Sequence, residues 1–158
     1  MNNKIKLLDG SMSFPLEKKG YNLHDKLWTG KALINDPDLI KNIHKGYIEA
    51  GADYISTATY QISFNRLEEM GYQSDEIKEI FQKSVDLVKD AILESKPKNE
   101  IKIVGSFGPY ASFDPEASEY VGEYNVSDNT IMNFHLNNIR VIEETDLDIL
   151  LYETIPCL

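Results

Sequence analysis

The sequence is poor in sulfur ligands and in positive charge. Its single cysteine, Cys157, excludes an intramolecular disulfide and suits a reducing compartment, for which the cytoplasm is the expectation. One thiolate cannot close a zinc site, and no two of His24, His44 and His135 stand at metal-ligand spacing. The 16 basic residues are outnumbered by 26 acidic ones, a net charge of −10, which argues against a nucleic-acid backbone or an anionic membrane surface as partner. No run approaches the roughly 18 apolar residues of a membrane span. Met1 to Lys4 lead into the first apolar stretch without a signal-type segment. Gly105-Ser106-Phe107-Gly108 lacks the lysine and the spacing of a phosphate loop.

What is present is ordinary globular material, 42% apolar and 27% charged. A chain of 158 residues can bury roughly 70% of its unfolded surface around one core. Residues 1–158 read as one domain. Ile5 to Leu8 form a short apolar strand that runs into Asp9-Gly10. A long loop to about Asn35 follows, then a helix opened by Asn35-Asp36-Pro37-Asp38 and closed at Gly51. The β-prone Ala52–Tyr60 segment ends in hydroxyls, and Phe64 to Met70 read as a short helix. Ser74 is placed to cap a longer helix with Ile77, Phe81, Val85, Val88 and Ile92 on one stripe. Ile101–Val104 form a third strand and Ser127 caps another helix. Leu147–Tyr152 form a fourth strand that ends at Glu153.

These strands begin near positions 4, 52, 101 and 147, intervals of 48, 49 and 46 residues, without a visible residue-level repeat. Regular strand-helix alternation implies an α/β fold with a parallel sheet, and near-equal units suggest a TIM-type (β/α)8 barrel. A complete barrel needs roughly 200 residues or more, so the expectation is a half-barrel of four β/α units. In such a fold the strand ends share one rim, where chemistry sits. Here that rim collects Asp9, Gly10, Thr57, Thr59, Tyr60, Ser106 and Glu153. Two carboxylates there could serve as acid and base, bind a divalent cation, or hold an ammonium group. The bland alternatives are an Asp-Gly turn for Asp9 and ordinary strand threonines at 57 and 59. His44 and His135 read as helix-surface or packing residues, and Cys157 as a small apolar residue.

Several short segments, in order, resemble the homocysteine S-methyltransferase family, bacterial branch. They are Leu8-Asp9-Gly10 with Leu16-Glu17, Asn22-Leu23 to Leu27-Trp28, Asn35-Asp36-Pro37, His44, Ala50-Gly51-Ala52-Asp53 and Thr57-Ala58-Thr59-Tyr60-Gln61. Gly105 to Tyr110, Ser118-Glu119-Tyr120, Gly122-Glu123-Tyr124 and Glu153-Thr154-Ile155-Pro156 continue the series. The resemblance implies a zinc-dependent barrel that methylates the thiol of homocysteine to methionine, with S-methylmethionine or S-adenosylmethionine as donor. It further implies that Asp9 and Glu153 bind the substrate amino group. Ser11 stands where many members have glycine or alanine. The three zinc-binding cysteines of the family belong to its second half, and none is matched here.

The resulting expectation is an N-terminal half of such an enzyme, carrying amino-group recognition but not the metal, and inactive alone. An assembly module that pairs with itself or with a complementary half is the competing one. A barrel enzyme using the two rim carboxylates for a divalent cation is a third.

Overall fold

A computed structural model describes residues 5–23, 27–113 and 120–156. His24, Ser118, Glu119 and Cys157, and the Met1–Lys4 lead, fall outside the described residues. The fold is α/β, with a parallel sheet in the order β1-β2-β3, where β1 is Tyr54–Ser56, β2 is Lys102–Phe107 and β3 is Ile149–Tyr152. The leading segment, expected as a full strand from Ile5 to Leu8, contributes only a single parallel bridge, Leu8 to Tyr54. Its side chains explain the difference: Ile5 is 82% exposed and Leu7 53%, so little burial rewards a longer ladder. Backbone bonds still fix it alongside β1, with Asp53 and Tyr54 amides donating to the Leu7 carbonyl and the Asp9 amide to that of Tyr54.

Helices cover the outer face of the sheet. The expected long loop between Gly10 and Asn35 contains two short helices, α1 (Ser13–Lys18) and α2 (Gly30–Asn35). They form because Leu16, Ala32 and Leu33 reach the core, an override by tertiary packing that local propensity does not announce. The next helix, α3 (Pro37–Glu49), has proline in its first turn as expected, but the Asp36 side chain makes no capping bond. Then come α4 (Phe64–Glu69) and the long α5 (Ser74–Ser95). Gln73 rather than Ser74 is the N-cap of α5, in a capping box with Glu76. On α5, Ile77, Phe81, Val85 and Val88 are fully buried, and Phe81 stacks on Phe107 of β2 at 6.3 Å. The last helix, α6 (Asp128–Ile142), is capped by the Ser127 side chain, which accepts from the Thr130 amide. His44, expected on a helix surface or in packing, is wholly buried on α3.

Two aspartates tie neighbouring strands at their starts. Asp53 accepts from the Lys6 ammonium at 2.9 Å and the Leu7 amide at 3.1 Å. Asp148 does the same for Lys102 at 3.0 Å and the Ile103 amide at 2.8 Å. Asp53→Ala is expected to lower stability by about 1–3 kcal/mol in urea unfolding, through the stranded Leu7 amide. Hydrogen exchange should speed up first at Leu7 and Asp9; unchanged protection there would contradict the tie.

Candidate functional site

The strand ends open into a cavity of about 480 Å³ lined by residues from the leading segment, the turn before α2, β1 and the loop after it, β2 and the stretch after β3. Of the residues singled out from the sequence, Asp9, Gly10, Thr57, Tyr60, Ser106 and Glu153 line it. Thr59 does not. Its side chain is buried behind the wall, where its hydroxyl bonds that of Thr57 at 2.7 Å and donates to the Ser106 carbonyl at 2.7 Å. That hydroxyl pair joins β1 to β2, together with a 3.3 Å bond from the Ser106 amide to Thr57. The approach at Gly10 is close: a Cβ there would lie 3.0 Å from the Tyr47 hydroxyl, which itself donates to the Ser11 carbonyl at 2.8 Å. A Cβ on Gly108 would likewise meet the Tyr60 ring at 2.9 Å.

Each carboxylate is held by a serine of a neighbouring strand. Asp9 accepts from the Ser56 amide at 2.8 Å and from the Ser56 hydroxyl at 2.8 Å, one on each oxygen. Glu153 accepts from the Ser106 hydroxyl at 2.6 Å. Burial pushes the Asp9 carboxyl up to about 6, the negative charge of Glu153 adds to the push, and the Ser56 bonds oppose it. A bound cation would favour the ionised form of an acid so placed and draw its midpoint back down.

Several lining residues were not among the site candidates, although Trp28, Tyr120 and Thr154 lie in segments that carry the family resemblance: Ser56, Trp28, Thr29, Tyr120 and Thr154. Trp28 and Thr154 adopt left-handed backbone, φ 45 and φ 57. Such conformations are unfavourable for a bulky or β-branched residue and collect at functional sites. Nothing in composition announces them. Ser56 did leave a trace, since it stands 47 residues after Asp9 as Glu153 stands 47 after Ser106.

The model of the family described as homocysteine S-methyltransferase matches residues 6–158. The chain belongs to that family. It is 38% identical to the homocysteine S-methyltransferase YbgG of Bacillus subtilis, over 96% of this chain and 50% of that protein. It is 34% identical to the selenocysteine Se-methyltransferase of Brassica oleracea, over 95% of this chain and 47% of that protein. Among solved structures, the Escherichia coli homocysteine methyltransferase MmuM in its metallated form superposes with a TM-score of 0.87 at 33% identity, covering 98% of this chain and 56% of MmuM. The chain thus spans about half the length of the curated relatives it matches.

The zinc implied by the family does not fit the described residues. No three His, Cys, Asp or Glu side chains among them converge on one point. The cavity offers two carboxylates, each already bonded to a serine, one short of the three protein ligands that a catalytic zinc site keeps.

The raised Asp9 pKa carries a stability consequence. The folded chain retains its Asp9 proton to about pH 6, whereas an unfolded carboxyl releases it near 3.8. Between those values the folded state binds more protons, so its stability falls as pH rises, by about 3 kcal/mol once both states are ionised. Asp9→Asn is therefore expected to match wild type near pH 4 and exceed it at pH 7. Urea unfolding at the two pH values checks this; a wild type favoured at pH 7 would contradict it.

Proposed function

We propose that this chain supplies the amino-acid recognition half of a homocysteine S-methyltransferase, built as the first four β/α units of a (β/α)8 barrel. The overall reaction is methyl transfer from S-methylmethionine or S-adenosylmethionine to the thiol of homocysteine, which gives methionine. The observation that carries the reading is the convergence of Asp9 and Glu153 on one open cavity, with Asp9 destabilised in its ionised form until a cation arrives. An α-ammonium group answers that need. It brings one positive charge and three donors to two carboxylates that keep acceptor capacity beyond their serine bonds. The hydroxyls of Thr57 and Tyr60 complete a polar lining suited to a small substrate.

Family membership and the shared half-length match support the reaction; the acid pair supports the part of it assigned to this chain. Zinc has no ligand set among the described residues, and the chain's own contribution is to bind and orient the amino acid. A thiol substrate also suits the reducing cytoplasm. Calorimetric titration with L-homocysteine at pH 6 is expected to release protons to the buffer as Asp9 ionises. Asp9→Asn and Glu153→Gln should each weaken binding by about 10–100-fold. Binding unaffected by both substitutions would sink the assignment.

A second reading is favoured by the sheet edges. Ile149 and Leu150 of β3 are 39% and 41% exposed, and Ile5, Leu7 and Leu8 are open at the other edge. On the β3 side the buried Tyr152 hydroxyl and His135 Nδ1 lack hydrogen-bond partners. Open edges with apolar side chains favour pairing with a second copy or a complementary half. Sedimentation is expected to show a dimer or larger species; a stable compact monomer would count against pairing.

A further inference from the structure

Asp9 receives both of its serine bonds from one residue. The Ser56 amide serves one carboxylate oxygen and the Ser56 hydroxyl the other, each at 2.8 Å. Glu153 has a single serine hydroxyl, that of Ser106. The groups that face Asp9 are Ser56 from β1, Glu153 from the end of β3 and the Tyr47 phenol from α3. Burial and the charge of Glu153 disfavour a negative charge at Asp9; the two Ser56 bonds, with the Asp9 backbone amide, favour it. Each carboxylate oxygen has two acceptor directions, so the serine bonds leave room for a ligand on both oxygens.

We propose that Ser56 is a positioning residue that keeps Asp9 ionised and aimed at the cavity, so that the chain's grip on an ammonium ligand begins at a lower pH than burial alone would allow. This rests on the amino-acid reading of the site. The backbone amide of Ser56 survives any substitution; the hydroxyl does not. Its contribution is therefore separable from the fold of β1. The hydroxyl acts on the charge state of Asp9.

The test uses the 158-residue chain with Ser56→Ala and Ser56→Thr. First, the Asp9 side-chain carboxyl carbon is followed by NMR against pH without ligand. Its midpoint is expected to rise by about one pH unit in Ser56→Ala and to return toward wild type in Ser56→Thr. Second, L-homocysteine binding is measured at pH 6 and pH 8. Ser56→Ala should lose about fivefold at pH 6 and change little at pH 8, because a one-unit shift alters the ionised fraction only near the midpoint. An unmoved midpoint, or an equal loss at both pH values, overturns the proposal. Should wild type bind no homocysteine at either pH, the amino-acid reading fails, while the ligand-free titration still decides the role of Ser56.

Discussion

A partly buried carboxylate, carried to the rim by a single-bridge segment at the sheet edge, is the constraint on which this structure turns. Burial alone would neutralise Asp9, and its closeness to Glu153 adds to that pressure. What keeps the arrangement tolerable is a serine on the adjoining strand, supplied by a parallel register that brings Ser56 beside Asp9. The leading segment need not be a long strand for this. One bridge and the Asp53 tie are enough to bring Asp9 to the rim.

The strand-helix alternation was legible because its signals are strong. The α5 stripe from Ile77 to Val88 has helical period, and the Ser127 cap and Pro37 start follow from backbone chemistry. The strand ends Asp9 and Glu153 were also legible, since carboxylates are rare after apolar runs. The short helices α1 and α2 were not. They owe their existence to Leu16, Ala32 and Leu33 finding a core made by distant residues. Thr59 was misplaced for a related reason. Whether a hydroxyl faces a cavity or a neighbouring carbonyl depends on local twist, which sequence does not carry. The left-handed backbone at Trp28 and Thr154 lacks the glycine that normally advertises it.

The structure also discloses a repetition that residue identities conceal. Lys6 and Asp9 pair with Asp53 and Ser56 across the first two units; Lys102 and Ser106 pair with Asp148 and Glu153 across the last two. Each doublet is tied at its start by an aspartate and at its rim by a serine-carboxylate bond. The join between doublets uses uncharged groups instead, the hydroxyls of Thr57 and Thr59 with the backbone of Ser106. The acid and its serine exchange places from one doublet to the next. Both carboxylates therefore fall on the outer positions of the four, with the two serines between them.

That ordering makes sheet curvature a functional dimension. Laid flat, positions three strand spacings apart would stand about 14 Å from each other, too far for one small cation to touch both. In the folded chain they border a common cavity and their charges influence each other. The sheet is shaped like a bent caliper with Asp9 and Glu153 at its tips and the hydroxyl join between β1 and β2 midway along it. A substitution that flattened this arc would lengthen the chord between the acids without touching either one.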